Sequence, residues 1–258
     1  MSVERGPVDI TPHSSISDLL KNLRQAAIDG HVRDQLTDMR SFLEYEKCTV
    51  ETTVLEIPDP TKQLIVAANH FCRRPYLTSK EAIVAASAIS VAADDTQICE
   101  APAWLQRKLH TGILDVLTGR FRESQNNFDS VYGNISVQLN GKQRIANTEE
   151  IVQKTLEVIK QKRPFGVFPE QEPSHTLKKY NKGFISFLRA VSSIAQIERN
   201  DEPILILPAG LFFEGRVAKV NFGKVIELTK DFDAETIAYQ TMKGIAEGLP
   251  YRLRGPYS

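Results

Sequence analysis

The sequence predicts an α/β fold, with a mixed, largely parallel central sheet flanked by helices and a helical extension at the N-terminus. Two observations lead there. From Thr49 onward, segments with strand patterns alternate with segments of helical period. The short apolar runs Leu64–Ala68, Phe165–Phe168 and Ile204–Leu207 also suit strands covered on both faces, as parallel strands are. A chain of 258 residues holds one large core. The expected organisation is an extension over residues 1–47 and an α/β domain over residues 48–258.

Taken in order, Ser14 and Ser15 precede a helical pattern through Leu19, Leu20, Leu23 and Ala26. Past Gly30 it resumes at Val32, Leu36, Met39 and Leu43. At Thr49 the period changes to two, with Val50, Thr52 and Val54 on one face, and the pattern stops at Pro58. This predicts a strand, followed by a second strand at Leu64–Ala68. Next come a helix from about Ser79 to Ala93, a short strand around Gln97 to Cys99, and a helix from about Pro102 to Leu117. Gly133 to Leu139 predicts a strand closed by the Asn140-Gly141 turn pair. Asn147 and Glu150 give a capping-box-like start to a helix that ends near Arg163-Pro164. A strand at Phe165–Phe168, a helix at Gly183–Ile197 and a buried strand at Ile204–Leu207 follow. Arg216–Leu228 is expected to form an antiparallel closing pair, and a helix over Ala234–Leu249 completes the fold.

Composition excludes several function classes. Lys and Arg total 32, as do Asp and Glu, so no global field draws the chain to nucleic acid or to an anionic membrane. Cys48, Cys72 and Cys99 form no metal-type pair, and so sparse and odd a set suits reduced thiols in a cytosol; no metal or other cofactor is expected. Residues Met1–Pro12 have the pattern of neither a secretion signal nor a transit peptide. The apolar run Ala82–Ala93 is shorter than the roughly 20 residues that span a bilayer. A cytoplasmic protein is expected, with any membrane contact peripheral.

In open sheets of this kind ligands bind beyond the carboxyl ends of the strands. Asn69-His70 and Phe168-Pro169-Glu170 both fall at such ends. The strand Val66-Ala67-Ala68 running into Asn69-His70 resembles the first block of the glycerophospholipid acyltransferases, the phospholipid and glycerol acyltransferase family, with Pro75 where that family has Asp. Gly133 to Gln138 fits the strand of the second block, with Leu139 in place of its Arg. Phe168-Pro169-Glu170-Gln171-Glu172-Pro173-Ser174 keeps the ends of the third block, Phe-Pro-Glu-Gly-Thr-Arg-Ser, but not its Gly or Arg. Tyr180-Asn181-Lys182-Gly183 and Pro203-Ile204-Leu205-Ile206-Leu207-Pro208 are similar to its later blocks.

The resemblance implies an acyltransferase-like fold. It implies transfer of a fatty acyl group from acyl-CoA or acyl carrier protein to a hydroxyl or amine of a small-molecule or lipid acceptor. His70 is the candidate general base, a role suited to an imidazole titrating near working pH. A second reading makes it a residue that merely caps the strand end. With Asp replaced by Pro75, an acid to orient the ring must come from Glu170, Glu172 or Asp94-Asp95. Loss of two arginines removes the bidentate grip on an acceptor phosphate, so glycerol phosphate is not the expected acceptor. Asn69, Arg73, Arg74, Phe168, Pro169, Glu170, Lys182 and Gly183 are the candidate substrate-binding residues. Arg73, Arg74, Lys178, Lys179 and Lys182 offer a different anion site, aided by the helix start at Gly183, or are simply solvated. Cys72 reads as a packing residue rather than a nucleophile, and the residues around Trp104 and Phe212-Phe213 line an acyl pocket or the core. The alternative function is a family member without catalysis that binds lipid or serves as a scaffold.

Overall fold

A computed structural model describes residues 16–31, 33–71, 78–107, 135–137, 153–170, 174–198 and 202–258. Two helices, α1 (Ile16–Asp29) and α2 (Gln35–Tyr45), precede strand β1 (Thr49–Val54) and strand β2 (Leu64–Ala68). Then follow α3 (Thr78–Asp95), β3 (Ala103–Arg107), β4 (Ile135–Val137), a helix α4 over 153–160, and β5 (Phe165–Val167). The chain continues through α5 (Lys182–Glu198), β6 (Ile204–Glu214), β7 (Val217–Phe222), β8 (Ile226–Leu228) and α6 (Ala234–Glu247). Two short 3₁₀ turns, Tyr251–Leu253 and Gly255–Tyr257, come after α6.

Among the described residues the strands form one mixed sheet in the order β1-β7-β6-β2-β5-β3-β4, with β8 also on β6. The pairs β1–β7, β6–β2, β2–β5, β5–β3 and β3–β4 are parallel, and β7 and β8 run antiparallel to β6. Alternation along the strands feeds two cores. Leu64, Val66, Ala68, Trp104, Leu205 and Leu207 face α1–α3, while Ile65, Ala67, Phe165, Val167 and Ile206 face α4–α6. All five residues of β2 are buried, and each large side chain there stabilises the fold by about 1.5–3 kcal/mol. Met39, Phe42 and Leu43 of α2 join the first core, with α2 packed on α3 and α1 on α2. Asp34 caps α2 by accepting from the N–H groups of Leu36 and Thr37.

Three expectations change. The segment read as a helix from Pro102 begins as strand β3, because Ala103 and Trp104 enter opposite cores, the period of a strand. The predicted strand at Gln97–Cys99 is instead the turn that ends α3, where Gln97 takes φ 57° and Ile98 N–H returns to the Ala93 carbonyl at 2.9 Å. The predicted closing pair does not pair with itself. Both β7 and β8 lie on one side of β6, interrupted opposite Pro208, whose carbonyl accepts from Gly223 N–H at 2.8 Å. Pro208 has no N–H to offer that neighbour, so the ladder breaks there. The β6–β7 reversal itself is a two-residue turn with Gly215 at φ 62°. The predicted helix start at Asn147 and Glu150 and the Asn140-Gly141 turn lie outside the described residues.

Candidate functional site

The carboxyl ends of β2 and β5 lie side by side, since Ala67 pairs with Val167. Asn69 ends β2 with a side-chain rung. Its Nδ2 donates to the Leu211 carbonyl at 2.8 Å and its Oδ1 accepts from Leu211 N–H at 2.6 Å, so a buried amide continues the ladder to β6 while the main chain turns away. The strand-end cap is therefore Asn69. His70 makes no such bond with its ring.

His70 is fixed through its backbone. Its N–H donates to Glu170 Oε2 at 2.6 Å and its carbonyl accepts from Ser174 N–H at 3.0 Å. Glu170 Oε1 accepts from Lys178 N–H, also at 2.6 Å. One buried carboxylate thus ties the end of β2 to the loop over 174–181. Burial pushes the Glu170 carboxyl up to about 7, against the opposing pull of the Lys178 and His70 N–H groups.

The imidazole lies on Phe168, ring centroids 4.6 Å apart and 17° from parallel, and Phe168 lies on Trp104 at 4.8 Å and 19°. Trp104 Nε1 donates to Ser90 Oγ on α3 at 3.1 Å, which closes the column. Gly166 makes room for it, because a Cβ there would sit 2.5 Å from Trp104 Cδ2. Gly166→Ala should therefore lower stability by about 1–3 kcal/mol and shift the emission of the chain's single Trp. Chemical denaturation and fluorescence check this, and unchanged values in both would show that the column does not depend on the missing Cβ at Gly166.

His70 Nε2 is buried and has no hydrogen-bond partner among the described residues. Burial lowers the imidazole pKa to about 4, so the ring is neutral at physiological pH, well below the working range expected of a base. No described carboxylate reaches the ring. Both oxygens of Glu170 are taken by backbone N–H groups, and Asp94 and Asp95 are paired with Arg40 at 2.7 Å each, at the far end of α3. Glu172 lies outside the described residues, as do Arg73, Arg74, Cys72, Pro75, Leu139 and Pro173.

The structure brings Asn69, His70, Phe168, Pro169 and Glu170 together. Lys182 and Gly183 begin α5 nearby, but that helix start carries its own cap. Asn181 Oδ1 accepts from Phe184 N–H at 3.0 Å while its Nδ2 donates to the Pro169 carbonyl at 2.9 Å. A Cβ at Gly183 would lie 2.7 Å from Asn181 Oδ1, so the cap, rather than an incoming anion, occupies this end. Lys178, Lys179 and Lys182 are exposed. Among the described residues no group of three metal-type ligands occurs, and no helix is long and apolar enough to cross a membrane.

The crystal structure of the 1-acyl-sn-glycerophosphate (LPA) acyltransferase PlsC from Thermotoga maritima is similar to this chain. The match covers 94% of this chain and 82% of that one, at 15% sequence identity and a TM-score of 0.41. No family model matches the sequence, and no curated protein does.

Sequence reading missed the aromatic column, because Trp104 was placed on a helix and Phe168, read as a strand end and a substrate-binding residue, was given no ring partner. A period-two reading of Ala103-Trp104 and the small residue at Gly166 were the available signals. The role of Asn69 was equally hidden, since its partner Leu211 is 142 positions away.

Proposed function

We propose that this chain is an acyltransferase of the glycerophospholipid acyltransferase kind, with His70 as the general base and a hydroxyl or amine without phosphate as the acceptor. One observation carries the reading: a neutral imidazole at the carboxyl end of β2 has a buried Nε2 with no partner among the described residues. A buried polar atom left unpaired costs about 1–3 kcal/mol, and an acceptor O–H or N–H is the donor that would relieve it. The ordered blocks in the sequence support the same assignment.

In the proposed reaction His70 Nε2 takes the acceptor proton as the acceptor oxygen bonds to the thioester carbonyl carbon. The tetrahedral intermediate collapses with cleavage of the C–S bond, and the departing thiolate takes the proton from the imidazolium. The donor is acyl-CoA or acyl carrier protein, and a lipid acceptor would bring the protein to a membrane surface from the cytoplasm. A thioester assay with free-thiol detection, run over a panel of alcohols and amines, tests this. Thiol release that needs no acceptor, or none at all, would overturn the transfer reaction.

A second reading, a lipid-binding protein without catalysis, draws on the engagement of both Glu170 oxygens by backbone. Quenching of Trp104 by an acyl thioester without turnover would establish it.

The family's phosphate-gripping arginines are replaced by Leu139 and Pro173. Each charge-assisted hydrogen bond to a phosphate is worth about 1.5–3 kcal/mol, or roughly ten- to hundredfold. Glycerol 3-phosphate and lysophosphatidate should therefore show kcat/KM at least about tenfold below the best neutral acceptor. Steady-state kinetics on that panel decides it, and equal values would mean that Arg73, Arg74 or the Lys178 group holds the phosphate.

A further inference from the structure

The loop over 174–181 holds Glu170 from one side, and the segment after α6 holds that loop from the other. Leu177 N–H donates to the Leu253 carbonyl at 2.8 Å. Gly255, at φ 57°, lies so close that a Cβ there would fall 1.9 Å from the Leu177 carbonyl oxygen. The Tyr257 phenol is pushed up by burial, with the Tyr180 backbone N–H beside it opposing the shift and Glu170 among its charged neighbours. Its ring also contacts Tyr239 of α6, centroids 5.8 Å apart. Leu253, Gly255 and Tyr257 thus flank Lys178, whose N–H binds Glu170 Oε1. Glu170 Oε2 in turn takes the His70 N–H.

We propose that Gly255 and Tyr257 are positioning residues for the His70 site, acting in series through the 174–181 loop and Glu170. The segment Tyr251–Tyr257 bonds to the loop whose Lys178 N–H holds Glu170, the one side chain that accepts from the His70 backbone N–H among the described residues. The argument for Gly255 is steric. A methyl group at 1.9 Å from a backbone oxygen has no rotamer to escape into, so the segment and the loop must part. The argument for Tyr257 is packing: its ring lies on Tyr239 and on the core that also takes Leu177 and Tyr180, and Tyr257→Ala removes that ring.

The proposal rests on His70 being the working group, and its test reads the site without turnover. Amide hydrogen exchange resolved by residue is measured on the full chain for wild type, Gly255→Ala and Tyr257→Ala, together with the His70 ring proton shifts at fixed pH. The expected result is exchange at His70 and Lys178 at least about tenfold faster in both variants with a moved His70 ring signal, while Val220 and Ala218 on β7 exchange as in wild type. Unchanged His70 exchange in a folded variant would overturn the proposal. So would acceleration spread evenly over β7, which would mark a general loss of stability instead. Selective exchange with no thioester turnover would remove the acyl-transfer reading and leave the coupling standing, whereas turnover with unchanged exchange would do the opposite.

Discussion

His70→Phe is expected to lower acyl transfer by on the order of 10²–10⁴-fold while leaving the fold at pH 7 as stable as wild type, or more stable by about 1 kcal/mol. The phenyl ring keeps the stack on Phe168 and deletes the buried Nε2 that has no partner. Catalysis and stability are thereby pulled in opposite directions, which a packing role alone would not do. His70→Ala is less informative, because it also removes the stacking ring. On the proposed mechanism the wild-type protein should show an acid limb in kcat/KM near pH 4, in place of the usual histidine value near 6.5, since the His70 imidazole titrates there. Transfer that survives in His70→Phe, or an acid limb near 6.5, would remove His70 from the mechanism.

Glu170→Ala should be destabilising by about 2–5 kcal/mol at pH 7, because two backbone N–H groups, of His70 and Lys178, lose their acceptor. The pH dependence is more specific. The folded Glu170 pKa is raised from 4.5 to about 7, so its contribution to stability is fully present below pH 4.5 and is lost as pH rises through 7. The folded His70 pKa is lowered from 6.5 to about 4, so its contribution is present above pH 6.5 and is lost as pH falls through 4. Between pH 4.5 and 6.5 the two trends oppose each other at about 1.4 kcal/mol per pH unit each. Wild-type stability from these groups should be nearly flat in that window. Glu170→Gln removes one trend, and its unfolding free energy should climb by about 1.4 kcal/mol per pH unit across the same window. Urea titrations at four pH values measure this, and parallel profiles for the two proteins would show that the carboxyl titrates normally.

Much of the sheet was legible because buried parallel strands leave short continuous apolar runs, as at Leu64–Ala68 and Ile204–Leu207. Strand β3 was not, because Trp104 follows Ala101-Pro102-Ala103, one proline between two alanines that suit either period, and the choice was made by burial against α3. The ends of the strands were legible as polar punctuation, which put His70 and Glu170 at one place. Their relation was not. Sequence suggested that an acid orients the His70 ring, whereas Glu170 spends both oxygens on main-chain N–H groups, a geometry fixed by the register of β2 on β5 and the path of the 174–181 loop. The lowered His70 pKa follows from the same packing, which no local pattern encodes.

The edge strand β1 pairs only with β7 among the described residues, Thr49 meeting Val217, and β2 needs β6 beside it, Leu64 meeting Leu205. Strands β1 and β2 therefore wait for residues more than a hundred positions later before these backbone groups are satisfied. Such long-range pairing makes for slow folding and exposes apolar strands in the interim. The β6–β7 hairpin, closed by its two-residue turn at Gly215-Arg216, is the local unit that both early strands await. Substitutions that weaken this turn should express their stability loss mainly as slower refolding rather than faster unfolding, and they should raise the fraction of newly made chain lost to aggregation.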